Sequence, residues 1–189
     1  MEYAKFERLE TKHLILREFY KSDVDFYYNR IGSSQDVTRY MLWEPHMTIE
    51  ESEKSIEKIM ARHADGNNYT WGIALKEDDT IIGRIDLLRL DETDSSCSFA
   101  YMLGKEFWGK GYGTQALCAV FAYAFEQLKM KRIAADHMTE NAGSGKVMQK
   151  AGMQYVGTKK AKYEKKGRLY DADEYAITFD AWKAYNEKA

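Results

Sequence analysis

The sequence predicts an α/β fold, one domain built on a mixed β-sheet with helices packed against it. Strand-like and helical patterns follow one another in the order β-α-α-β-β-β-α-β-α-β-β. The chain has 189 residues, enough for one well-cored domain over 1–189 and short for two. Three glycines at every second position, Gly109, Gly111 and Gly113, join an apolar run to a long helical pattern.

Each element has its own local reason. Leu14-Ile-Leu-Arg-Glu-Phe19 is a short apolar strand signal. Ser22-Asp-Val-Asp25 resembles a helix cap with an acidic third position and opens a helix through Tyr28 and Ile31. Trp43-Glu-Pro-His46 is a turn around the single proline, and Thr48-Ile-Glu-Glu51 is a second capping box. Ile49, Ile56, Ile59 and Met60 then mark one helix face. Residues 69–75, 81–90 and 96–103 read as strands separated by turns rich in Asp and Gly, an antiparallel meander. The pattern then changes to a helix over 114–129, a strand over 132–138 and a helix over 144–151 stopped by Gly152. Strands over 153–158 and 170–179 close the chain.

Composition narrows the function classes. The chain is 44% hydrophobic and 31% charged with a net charge of -2, so neither nucleic acid nor an anionic membrane is an expected partner. Lys159, Lys160, Lys162, Lys165, Lys166 and Arg168 form a late basic cluster, read as a solvated hairpin in preference to a basic patch. The N-terminal residues carry no secretory signal and no apolar run approaches membrane-spanning length, which makes the cytoplasm the default compartment. Cys97 and Cys118 fit no metal or redox spacing and read as small buried hydrophobes; no metal is expected.

The glycine loop carries the chemistry. Glycine lets the backbone approach a ligand closely, and a helix start offers unpaired N–H groups at a positive dipole end, a combination suited to a diphosphate. A Gly-x-x-x-x-Gly-Lys-Ser/Thr phosphate loop has no matching register here. A dinucleotide-binding unit finds Gly109-x-Gly111 and a carboxylate at Asp136, but its third glycine position is Thr114. The approach from Leu103 to Gly109 is also too long for its tight first turn, and too little chain follows Asp136 for a doubly wound sheet.

The third reading is coenzyme A. Phe107-Trp-Gly-Lys-Gly-Tyr-Gly-Thr-Gln-Ala116 resembles the Gln/Arg-x-x-Gly-x-Gly/Ala loop of the GCN5-related N-acetyltransferases (the GNAT superfamily), and most closely that of the RimJ/RimL-type ribosomal-protein acetyltransferases. Thr11-Lys-His-Leu-Ile-Leu-Arg17 resembles the opening strand of that subfamily, and Ile82-Gly83 its central hairpin. Asn141-Ala-Gly-Ser144 followed by Val147-Met-Gln-Lys-Ala-Gly152 resembles its Asn-x-x-Ser helix. The likeness runs in order from Leu9 to Phe179.

The resemblance implies a mostly antiparallel twisted sheet with a splayed strand pair, and acetyl-CoA as co-substrate. Met102 and Leu103 would lie at the splay. Trp108, Gly109, Lys110, Gly111, Tyr112, Gly113 and Thr114 would form the cofactor loop, with Trp108 at the position of the Gln/Arg donor and Lys110 adding a charge. Many members carry a tyrosine acid seven residues after the motif asparagine; that position is Met148, so Asn141 is read as a cofactor or water ligand and Ser144 as thiolate partner. Both are also helix-cap residues, and the two roles are compatible. The glutamate that the subfamily often places before the loop matches Ser98, which leaves Asp86, Glu140 and His137 as candidate bases. Trp43, His46, Tyr101 and Tyr155 are candidate substrate-lining residues. The acceptor is an amine, either a protein N-terminus or a small molecule, and a homodimer is compatible with the sequence. A non-catalytic CoA-binding module on the same fold is the alternative.

Overall fold

In the computed structural model, which describes residues 6–64, 69–91 and 93–187, the strands are β1 (Leu9–Glu10), β2 (Leu14–Arg17), β3 (Tyr69–Leu75), β4 (Ile81–Asp91), β5 (Ser96–Leu103), β6 (Arg132–Met138), β7 (Gln154–Lys165) and β8 (Arg168–Thr178). The helices are α1 (Val24–Tyr27), α2 (Gln35–Thr38), α3 (Ile49–Ala64), α4 (Tyr112–Glu126), α5 (Ala142–Lys150) and α6 (Phe179–Asn186). The strands form one sheet in the order β1-β2-β3-β4-β5-β6-β8-β7. All neighbours are antiparallel except β5 and β6, which run parallel because α4 crosses back between them.

The sheet is covered on both faces over its middle strands. All seven residues of β3 are buried, so it reads as a continuous apolar run, without alternation. On one face, Leu14, Trp71, Ile85 and Phe99 pack with Leu117, Val120 and Phe121 of α4 and with Trp182 of α6. On the other, Ala74, Ile81 and Met102 pack with Tyr27, Ile31, Val37 and Ile56 of the α1–α3 layer. The outermost strand β7 is mostly exposed and rich in lysine, which protects an open edge from pairing with another chain.

The expected helix from Ser22 to Ile31 is broken. Residues Lys21–Asp23 form a 3-10 turn, α1 follows, and Tyr28–Gly32 is a π turn. Ser22 does not cap; Asp23 does, accepting the N–H of Tyr20 at 2.7 Å while holding buried Arg17 at 2.9 and 3.0 Å. At α3, Glu51 reaches back to the N–H of Met47 at 2.6 Å, one residue before the expected partner Thr48. Helix α4 starts at Tyr112, two residues before the predicted start, and stops at Glu126. Gly152 does stop α5, at φ +89°, with Gly152 N–H on Gln149 C=O and Met153 N–H on Met148 C=O.

The last strands also differ from expectation. β7 runs on to Lys165, and Phe179 opens α6, because the Thr178 hydroxyl accepts the N–H of Ala181 at 3.3 Å. The basic cluster is neither a bare patch nor simply solvated. Lys160 pairs with Asp171, Lys166 with Glu44 and Arg168 with Glu140, while Lys162 and Lys165 reach further partners described below. Cys97 is a buried free thiol pushed up to about 12 by burial, and Cys118 is a half-buried free thiol. No described helix is long and apolar enough to cross a membrane.

Candidate active site

The parallel strands β5 and β6 pair only through Ser96↔Arg132, Cys97↔Ile133 and Ser98↔Ala134. Beyond that point each stays tied on its outer side, β5 to β4 as far as Gly83↔Leu103 and β6 to β8 as far as Met138↔Ala172. The inner edges part, and a gap opens through the sheet. Gly83 allows the close β4–β5 approach at its end, since a Cβ there would lie 2.4 Å from the Met102 carbonyl oxygen. Gly104 N–H returns to Ile82 C=O at 2.9 Å, so by the alternation of a strand the main-chain groups of Leu103 face the gap.

Leu103 C=O is already taken, by the indole N–H of Trp108 at 2.8 Å. This bond fixes the loop from Gly104 through its 3-10 turn (Lys105–Phe107) to the glycines. Gly109 and Gly111 both sit in the left-handed region, at φ +74° and +81°, and a Cβ on either would meet no atom within 4 Å. Their glycine requirement is therefore conformational, and the space above them is open. Gly113 is different: inside α4, its Cβ would lie 3.4 Å from Tyr101 and 3.4 Å from Val147, so it serves close packing of α4 on β5 and α5.

Gly111 is the N-cap of α4, and the first helical bond is Gln115 N–H to Gly111 C=O at 3.1 Å. Among the described residues, no acceptor receives the N–H groups of Tyr112, Gly113 and Thr114. A fifteen-residue helix thus presents its positive end and three free donors beside the gap. Lys110 lies 5.5 Å over the Phe107 ring, on the same loop. The cradle fits a diphosphate in shape, donors and charge.

The start of α5 forms the other wall. Asn141 is its N-cap, its side-chain oxygen accepting Ser144 N–H at 3.4 Å. Ser144 stands near the hydroxyl of Tyr101, whose pKa is pushed up by burial and drawn partly back down by the Ser144 hydroxyl. Tyr101 sits on the parted stretch of β5, so the Tyr101–Ser144 pair spans from β5 to α5 across the α4 side of the gap.

The remaining candidates divide between the two faces. Asp86 is buried on the α1–α3 face, where Thr70 donates to it at 2.6 Å and Arg84 at 2.9 Å. Burial works against the charge of Arg84, but Asp86 and Tyr27 outweigh it and hold its pKa above the ordinary value. Glu140 pairs with Arg168 at the surface. His137 is buried under α5, with Nδ1 on Met138 C=O at 2.8 Å and its ring stacked on Tyr175. Trp43 and His46 come together on the α1–α3 face, 5.2 Å between rings, and His46 Nδ1 meets Ser52 Oγ at 2.7 Å. Burial holds His46 below its usual pKa, against the pull of Glu51. Tyr155 stands on the outer strand against Tyr175, on the α5 side with Tyr101. The four lining candidates therefore form two separate pairs.

The sequence did not show that Asp136, Lys162 and Tyr163 come together. Asp136 lies on β6 just past the parting point and accepts from Lys162 at 2.8 Å and from Tyr163. Lys162 also reaches Glu174 at 2.6 Å. Tyr163 is held protonated, pushed up to about 12 by burial and then by Asp136. Alternation along β6 places Asp136 opposite the α4-facing Ile133 and Ala135, but the partners come from a bend in β7 that no local pattern announces.

Residues 13–154 match the family model described as "Acetyltransferase (GNAT) domain". The chain is 28% identical to "Uncharacterized N-acetyltransferase YoaA" of Bacillus subtilis (strain 168), over 91% of this chain and 97% of that one. It is 25% identical to "[Ribosomal protein uS5]-alanine N-acetyltransferase" of Escherichia coli (strain K12), over 93% of this chain and 92% of that one. A solved spermidine N-acetyltransferase from Vibrio cholerae, in complex with CoA and spermine, superposes with a TM-score of 0.77 at 20% identity, covering 92% of this chain and 99% of that one.

Proposed function

The chain belongs to the GNAT acetyltransferase family and is an acetyl-CoA-dependent N-acetyltransferase; we propose that it acetylates a primary amine by direct attack through the gap between β5 and β6. One observation carries this reading: the gap opens beside a helix start whose N–H groups of Tyr112, Gly113 and Thr114 are free. When bound, acetyl-CoA supplies an activated acetyl thioester and a thiolate leaving group. The free N–H groups, with Gly109 and Gly111 keeping side chains away, hold the diphosphate end. Leu103 N–H, facing the gap, is the donor that meets negative charge developing on the acetyl oxygen.

The attacking amine has an ordinary pKa near 10 and must lose a proton first, while the thiol has a pKa of about 8.5 and leaves more readily with a hydrogen bond. Ser144, at the start of α5 near Tyr101, would give that bond. Asp86 is engaged by Arg84 and Thr70, so as a base it would act through its bonded network. Much of the acceleration comes from holding amine and thioester together.

The acceptor follows the two precedents among the relatives: a protein N-terminal α-amine, as the RimJ/RimL likeness and the uS5-alanine enzyme suggest, or a small amine such as spermidine. Release of free thiol from acetyl-CoA, followed across N-terminal peptides and polyamines, tests this. Tight CoA binding with no turnover of any amine would overturn it.

A further inference from the structure

The hairpin of β7 and β8 does not lie flat along the sheet edge. After a first irregularity between Tyr155 and Gly157 its register runs to Lys159↔Ala172 and resumes only at Tyr163↔Tyr170, so residues 160–162 oppose the single residue Asp171. Ala161 sits inside this bulge at φ +49°, its N–H on the Asp171 carboxylate at 2.9 Å, with Lys160 on the other oxygen at 2.7 Å. Bulges of this kind bend a strand and re-aim its side chains. Beyond the bend, Lys162 and Tyr163 reach Asp136 of β6, although β8 lies between β7 and β6 in the sheet. The distal half of the hairpin therefore leans over the α1–α3 face.

It leans far enough to touch the helical layer. Lys165 Nζ donates to the carbonyls of Thr38, Arg39 and Met41 at 2.8, 3.3 and 2.8 Å. A lysine ammonium has three donors, and all three are used on carbonyls at the end of α2, where helix termini leave carbonyls without intrahelical partners. α2 packs through Val37 in the cluster that contains Met102 of β5. The span from Asp136 on β6 to the end of α2 thus crosses the line along which β5 and β6 part.

We propose that residues 163–170 are a clasp over the acceptor side of this gap and that Lys165 is the positioning residue that latches it shut. The inference rests on the gap being the acetyl-transfer site. Closed, the clasp keeps solvent from the thioester and requires an acceptor to present its amine on a narrow, extended group; release of the latch opens the site to water.

The test uses the full chain with acetyl-CoA and no amine, comparing Lys165→Ala with wild type and with Lys166→Ala, which removes only an exposed pair with Glu44. Amide exchange over 163–170 in Lys165→Ala should accelerate about tenfold or more, the scale of losing charge-assisted hydrogen bonds. Hydrolysis of enzyme-bound acetyl-CoA to acetate and free thiol should rise severalfold while CoA affinity stays within twofold, and Lys166→Ala should match wild type. Unchanged exchange overturns the latch. Faster exchange with unchanged hydrolysis overturns the clasp and leaves Lys165 a structural contact. Should Lys165→Ala not fold, Lys165→Gln, which keeps two donors, gives the same readouts at smaller amplitude. Wild type that does not bind CoA would overturn the acetyl-transfer reading itself, a result that the CoA titration isolates from the other two.

Discussion

Replacing Gly111 by glutamate separates the conformational from the electrostatic role of the loop. Gly111 sits at φ +81° as the N-cap of α4, and a Cβ there meets nothing within 4 Å. The fold should therefore lose only the left-handed strain of an L-residue, about 1–2 kcal/mol. For a domain of this size that is a fall in Tm of about 2–8 °C. Binding should lose much more. A carboxylate about 5 Å from a phosphate, at an effective dielectric of about 20–80, repels each phosphate charge by about 1–3 kcal/mol. Over a diphosphate, the Kd for CoA should rise at least about thirtyfold. Gly111→Ala carries the same strain without the charge and should weaken CoA less than about tenfold. Titration calorimetry with CoA and thermal melts of all three proteins decide the matter. Wild-type CoA affinity in Gly111→Glu would refute the cradle.

Three other perturbations probe separate parts of the molecule. Ser144→Ala should lower kcat about tenfold or more while leaving CoA affinity and Tm near wild type, because the cap of α5 uses the Ser144 main-chain N–H and the Asn141 side chain; unchanged turnover would make Ser144 a cap residue only. Asp23→Ala should cost about 1.5–3 kcal/mol in urea unfolding, because it removes the bidentate partner of buried Arg17, which keeps only the half-exposed Asp79; a loss below about 1 kcal/mol would contradict the assignment. His46 is held below its ordinary pKa by burial, so the unfolded chain takes up its proton first as pH falls. The stability that its neutral form contributes is present above about pH 6.5 and is lost as pH drops below it. His46→Asn should flatten the fall in Tm between about pH 7 and 5 relative to wild type, and parallel curves would count against it.

The glycine loop was legible in sequence because its requirements are local: Gly111 needs a left-handed backbone, and the helix after it begins where that residue ends. The same holds for Gly152, where a positive φ stops α5, and for Asn141, whose cap spans three residues. Local chemistry misled where a distant group intervened. Ser22 looked like the cap of the first helix, but buried Arg17 fixes Asp23 in position to do that work. Phe179 looked like the end of a strand, but its ring packs with Phe125 and Trp182 at the start of α6.

The sequence by itself determined the strand–loop–helix and the free N–H groups at its helix start, because glycine conformation and helix termini depend on neighbours a few residues away. It also determined the order of the main elements from β2 to β8, though not β1, α2 or α6, and with it the kind of sheet. Only the tertiary structure decided where β5 and β6 part, that Ser144 comes near Tyr101, and that Trp43 and Tyr101 lie on opposite faces. Lys165 meets its three carbonyls more than a hundred and twenty residues away in the chain. Contacts at that separation follow from how the sheet closes and bends, and no window along the chain contains both partners.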